Sequence, residues 1–119
     1  MKRILWIIVW VGLSTAAVAQ HGIKFSWTVS NTPGVTSQAL YCGLTTGGEN
    51  YVTAIITFSD NTTSSYLWTT GIAGNTYFCT GEADILKNGI NYWSNPSNEA
   101  SAVFPTIPAP QSGLTATAQ

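Results

Sequence analysis

Apolar and polar residues alternate along most of this chain with a period of two. Ile23, Phe25 and Trp27 are separated by Lys24, Ser26 and Thr28, which predicts a half-buried strand with one apolar face. Asn31-Thr32-Pro33-Gly34 interrupts the pattern as a turn cluster. A second strand is predicted over 35–42, with Gln38, Leu40 and Cys42 on one face and Ala39 and Tyr41 on the other. Thr45-Thr46-Gly47-Gly48 ends it, and a third follows over 51–58, rich in β-branched and aromatic residues. Asp60-Asn61 turns the chain into a fourth over 64–69, around Tyr66 and Trp68. Beyond the turn at 71–75 a fifth is expected over 76–83, then a tight-turn signal at Asn88-Gly89 and a sixth strand over 98–104. Leu114, Ala116 and Ala118 alternate with Thr115 and Thr117 and predict a short seventh. Sustained helical periodicity with caps is absent from the sequence. Short strands at intervals of about 8–12 residues point to an all-β sandwich or barrel.

The two ends follow other patterns. Met1-Lys2-Arg3 is basic, 4–13 is apolar, and 14–19 is small and neutral, ending Ala17-Val18-Ala19. That is the layout of a secretory signal peptide cleaved after Ala19. Its apolar run is well short of the roughly 20 residues that a bilayer span needs, so no membrane span is expected after cleavage. Near the other end, Pro105, Pro108 and Pro110 favour an extended polyproline-type path over 105–112. The expected organisation is therefore a signal peptide over 1–19, a sandwich over 20–104, a Pro-rich linker over 105–112 and a C-terminal strand over 113–119.

Charge narrows the choice of partner. Once the signal is removed, Lys24 and Lys87 stand against Glu49, Asp60, Glu82, Asp84 and Glu99, a net charge of −3. Two separated lysines cannot track a nucleic-acid backbone or hold an anionic membrane. The remaining surface is neutral and polar, with 16 Thr, 10 Ser and 8 Asn in residues 20–119. So little charge goes with weak solubility as a free monomer.

Candidate chemistry is sparse. Cys42 and Cys79, in an exported chain, are read most economically as one disulfide; two buried free thiols are the alternative. Two cysteines and one histidine do not make a closed four-ligand zinc site. His21 has no nucleophile beside it and reads as a polar residue near the mature terminus. The carboxylates are scattered; Glu82 and Asp84 share one face of a strand end and read as a solvated edge. No enzyme and no cofactor is expected. Asn61-Thr62-Thr63 has the glycosylation acceptor pattern. The segment 85–95 reads as a loop carrying much apolar surface, and Ile90, Tyr92 and Trp93 are its candidate contact residues, with packing over the sandwich end as the alternative.

Four segments in order resemble a fibronectin type III domain of the bacterial secreted kind. The run 23–30, IKFSWTVS, resembles its second strand with a buried tryptophan, and 38–48, QALYCGLTTGG, its third strand and following loop. The run 73–79, AGNTYFC, resembles the turn and sixth strand with its corner tyrosine, and 96–102, PSNEASA, the last strand. The resemblance implies an immunoglobulin-like β-sandwich of about seven strands with Ile23, Phe25, Trp27, Leu40, Tyr66 and Tyr77 in the core. It implies that the Tyr77 hydroxyl bonds back to nearby backbone, and that Cys42 and Cys79 point inward from adjacent strands of one sheet. The cysteines themselves depart from the family pattern. So does the start: the family's first strand precedes the tryptophan strand, but here only Gln20, His21 and Gly22 lie between the cleavage site and Ile23. The run 109–118, APQSGLTATA, resembles that first strand instead.

An opening strand moved to the end, carried by Leu114, Ala116 and Ala118, has three uses. It fills its own domain, it fills the next subunit by donor-strand complementation, or it begins a further tandem domain. The expected function is a secreted structural or adhesion module, a filament subunit built head to tail from copies of itself. The alternative is a monomeric extracellular module that binds a protein or glycan.

Overall fold

The computed structural model describes residues 21–119, so the signal-peptide expectation for 1–19 lies outside the described residues. The described chain is all-β. Its seven strands are β1 (Ile23–Ser26), β2 (Ser37–Gly43), β3 (Ile56–Phe58), β4 (Ser65–Trp68), β5 (Thr76–Lys87), β6 (Ile90–Trp93) and β7 (Ala100–Val103). They form two antiparallel sheets. One is the pair β1–β4; the other runs β3-β2-β5, with β6 and β7 both lying along the far side of β5. β7 pairs with Thr76–Cys79 and β6 with Asp84–Lys87, each antiparallel to β5.

Between β6 and β7 the ladder is broken at 94–99, and two serines bridge the break. Ser94 N–H donates to the Ala83 carbonyl while its hydroxyl accepts from Ala83 N–H at 3.0 Å. Ser97 repeats the exchange with Gly81, its hydroxyl accepting at 2.9 Å. Pro96, which has no N–H to give, sits between them, where an edge strand tolerates it.

The core lies where the sheets face each other. Ile23, Cys42, Trp68, Cys79 and Phe104 are buried there, with Phe25, Ile55, Tyr66 and Tyr77 packed against them. Trp68 meets Tyr77 and Phe104 edge-on, with ring centroids 4.6 and 5.6 Å away. Gly71 lies against the Phe104 ring so closely that a Cβ would collide with it. Tyr77 Oη accepts the Ile72 N–H at 2.9 Å, the bond back to nearby backbone that was expected of it. Cys42 and Cys79 are directly opposite on β2 and β5 and form the disulfide, with Cα atoms 4.1 Å apart. The Leu40 and Cys42 carbonyls bond to Ile55 and Asn50, away from β5. Cys42 and Cys79 therefore form a non-hydrogen-bonded pair, the kind in which facing residues come closer.

Gln38 ties the sheets together. It is buried, its side-chain carbonyl accepts the Trp27 indole N–H at 2.8 Å, and its amide donates to the carbonyls of Asp60 and Thr63 at 3.2 and 3.0 Å. Trp27 itself is half-buried and stacks obliquely on Phe58.

Several expectations are corrected. The third strand, expected over 51–58, begins only at Ile56. Asn50 Oδ1 accepts the N–H groups of Val52 and Thr53, holding that stretch in a side-chain turn rather than a ladder. Tyr51 then lies over the outer face of the sheet, its ring on Tyr41 and its hydroxyl 2.9 Å from that of Thr80. The segment 85–95 is not a loop: β5 runs on to Lys87 and returns as β6 through Asn88-Gly89. Both turn residues have positive φ, 53° and 78°, as a two-residue hairpin turn requires. Asp84 is not on a solvated edge; it is 3% exposed and accepts from the Ser37 hydroxyl at 3.0 Å. The sixth expected strand shortens to Ala100–Val103, and Trp68 and Phe104 join the expected core. The strand expected over 113–119 is absent from the chain by itself: 105–119 contains no strand, and Leu114 is 87% exposed.

Candidate functional site

The two sheets are of unequal width, and the inequality opens a groove. β1 pairs only with β4 among the described residues. Trp27 N–H donates to the Ser64 carbonyl across that pair at 2.9 Å, so in an alternating strand Ile23, Phe25 and Trp27 spend their backbone groups on β4. Lys24 and Ser26 therefore point their N–H and C=O groups away from β4, at an edge that no described strand covers. Their side chains lie on the exposed outer face.

Across the groove stands β7. Ala100 and Ala102 are directly opposite Cys79 and Tyr77 on the ladder. Facing residues on neighbouring strands share a side, so both alanines look inward, toward the core. Both are nonetheless exposed. An inward-facing position open to solvent marks a place where a covering layer is lacking.

The space between β1 and β7 holds two adjoining cavities. The larger, about 420 Å³, lies beside Phe25–Thr28, with Leu40 and Cys79 in its wall and Ser94 and Ser97 on the far side. The smaller, about 190 Å³, lies beside Ile23–Ser26, opposite Ala100–Ala102. Phe25, Ser26, Cys79 and Ala100 line both, so they form one groove that tapers toward Ile23. β4 lines neither cavity. Ile23 lies beside the end of β7 and Thr28 beside its beginning, so β1 and β7 run in opposite directions along the groove.

The groove thus has the free backbone groups of Lys24 and Ser26 on one wall, with Phe25, Leu40, Cys79 and Ala100 among the residues that line it. No family model, curated protein or solved structure matches this chain.

Among the described residues no group of three or more His, Cys, Asp and Glu comes together as a metal-binding set. His21 is placed with its ring edge-on to Phe104, at the end of the core. The expected contact residues Ile90, Tyr92 and Trp93 are exposed on the β5–β6 hairpin, Trp93 opposite Asp84 on one face and Tyr92 opposite Ile85 on the other. They do not line the groove. Asn61 directs its side-chain nitrogen, the atom a glycan would occupy, to the Ser30 carbonyl at 2.9 Å.

Charges sit to the side. Glu49 is held above the usual carboxylate range, first by its bond to the Glu99 carboxylate and then by burial. Glu99 is held below it by the same bond and by the Gly47 N–H, 2.8 Å away. The Gly47 N–H bond to Glu99 ties the 43–50 loop to the residue just before β7. Burial also raises Glu82, and burial followed by Glu82 and Asp84 raises the Tyr41 hydroxyl.

Proposed function

We propose that this protein is a secreted, non-enzymatic structural module that takes an extended strand along the open edge of β1, and that the strand comes from the C-terminal tail of the next copy. The observation that carries this is the pairing of an uncovered edge over a core groove with a detached tail of alternating apolar residues in the same chain. An uncovered edge of this kind is a template for strand addition. In the fibronectin type III domains that the sequence resembles, a first strand precedes the tryptophan strand, and 109–118 carries its likeness.

The direction of β7 favours donation over self-insertion. β7 ends at the Ile23 end of the groove, and the tail leaves from there. To enter its own groove antiparallel to β1 it has to travel to the Thr28 end and reverse. Residues 105–112 reach about 25 Å as a polyproline-type segment. The groove alone takes about 20 Å of that for the six residues from Ile23 to Thr28. Little is left for the detour or the reversal, whereas a following copy is reached directly. Repeated head to tail, such a contact does not close and builds a filament. The disulfide and the basic-apolar-small start of the sequence support export to an oxidising, extracellular setting.

Electron microscopy of the exported protein tests this. Filaments are expected from the full chain and none after deletion of 113–119, with assembly blocked by an added tail peptide. A deletion variant that stays a soluble monomer indistinguishable from the full-length protein overturns the proposal. A second reading rests on the β5–β6 hairpin: Ile90, Tyr92 and Trp93, exposed at 55%, 55% and 43%, offer a contact surface for a protein or glycan on a monomeric module. Monomers that bind through this hairpin, lost on Trp93→Ala, would favour it.

A further inference from the structure

We infer that the donated strand runs antiparallel to β1 in one register, with Leu114 beside Trp27, Ala116 beside Phe25 and Ala118 beside Ile23, and that Leu114 is the side chain that selects this arrangement. The inference rests on the proposed donation and adds its direction, register and specificity-determining residue.

Three constraints fix the arrangement. The first is the face. Residues directly opposite on adjacent strands share a side, and the inward residues along β1 and just past its end are Ile23, Phe25 and Trp27. The apolar residues of the tail, Leu114, Ala116 and Ala118, therefore have to face those three or a set displaced by two. A shift by one residue turns Thr115 and Thr117 inward and Leu114 out to water.

The second is the backbone. The free N–H and C=O groups belong to Lys24 and Ser26. In this register their partners are Thr117 and Thr115, whose side chains then lie on the outer face with those of Lys24 and Ser26. A displacement by two in either direction leaves Trp27 or Ile23 uncovered.

The third is volume, and it sets direction. The groove is wide beside Trp27, at about 420 Å³, and narrow beside Ile23, at about 190 Å³, where Ala100 and Ala102 stand opposite. The tail reads large, small, small from Leu114 to Ala118. Antiparallel entry places Leu114 in the wide part, against Phe25 and Leu40, and the two alanines in the narrow part. Parallel entry places Leu114 in the narrow part and leaves the wide one to Ala118, combining overpacking with an unfilled cavity.

Disulfide trapping between two differently labelled variants tests this, since exposed Lys24 and Ser26 tolerate substitution. Full-length protein with Lys24→Cys is mixed under mild oxidation with protein carrying Thr117→Cys, and separately with protein carrying Thr115→Cys. Antiparallel donation predicts a mixed dimer with Thr117→Cys and little with Thr115→Cys, and the opposite preference when Ser26→Cys replaces Lys24→Cys. Leu114→Ala is expected to raise the concentration needed for assembly on the order of a hundredfold, and Thr115→Ala to leave it within a few-fold. The reversed cross-linking preference, or a bond formed within one chain carrying both substitutions at high dilution, overturns the inference. So do filaments that form with neither cross-link, although self-assembly itself then stands. Absence of any assembly from the unsubstituted protein overturns the proposed function instead.

Discussion

Gln38 is the residue on which the interface between the sheets most depends. A buried amide is tolerable only when its groups are bonded, and here one side chain satisfies the Trp27 indole and two backbone carbonyls of the β3–β4 turn. Gln38→Met keeps the volume and strands all three. It is expected to cost about 2–4 kcal/mol, since each buried group left unbonded costs roughly 1–3 and the turn carbonyls can swing to water. Denaturant titration should show a lower midpoint with an unchanged slope. The carboxylates make a second prediction at this scale. Glu49 has a raised value in the folded protein, so its contribution is full below the ordinary value near 4.5 and is lost as pH rises through the raised one. Glu99 and Asp60, both lowered, contribute above their ordinary values and lose that contribution as pH falls through the lowered ones. Asp60 owes its lowering chiefly to the N–H groups of Thr63 and Thr62. Glu49→Gln donates to Glu99 at every pH. It is expected to flatten the fall in melting temperature as pH rises past the ordinary carboxylate range, with the remainder due to Glu82, and to leave the acid side unchanged.

The broken partner strand of β5 shows how an element survives an interruption. Ser94→Ala with Ser97→Ala leaves the Ala83 and Gly81 N–H groups without acceptors while β6 and β7 keep their ladders. Hydrogen exchange at those two amides should quicken, with a loss of about 1–3 kcal/mol for the two bonds. Unchanged exchange would show that water replaces the hydroxyls fully. At this scale the sequence was most legible in β1, where one face alone is apolar; β2, β4 and most of β5 lie within two residues of where they are expected, and Cys42 and Cys79 meet as the resemblance implies. It failed where another force decides. β6 has aromatic residues on both faces and reads as an apolar loop, yet Asn88-Gly89 folds it back. The stretch 51–55 has strand-forming residues, yet the Asn50 side chain captures its N–H groups. Phe104, in phase with Ala100 and Ala102 at the end of the expected sixth strand, lies just past β7 and still packs into the core.

For the whole molecule, the groove was legible only in part. The sequence raises the expectation of an opening strand displaced to 109–118. The taper cannot be read there, because it depends on Ala100 and Ala102 standing across from Ile23 and Phe25 on the opposite sheet. The low charge of the surface fits a subunit whose stable state is assembled rather than dispersed. Deletion of 113–119 is therefore expected to do more than shorten the chain: it leaves the inward faces of β1 and β7 without cover, and the product should associate nonspecifically until tail peptide is added.

Backbone hydrogen exchange at Lys24 and Ser26 tests strand addition most directly, because these two amides face the uncovered edge while that of Trp27 is bonded to Ser64 and serves as the internal reference. In assembled full-length protein Lys24 and Ser26 should be protected to a degree comparable with Trp27. In the protein lacking 113–119 they should exchange orders of magnitude faster, as open-edge amides do, with Trp27 still protected, and a peptide of the tail sequence should restore them. Equal and rapid exchange at Lys24 and Ser26 in both proteins, with filaments present, would contradict strand addition at β1.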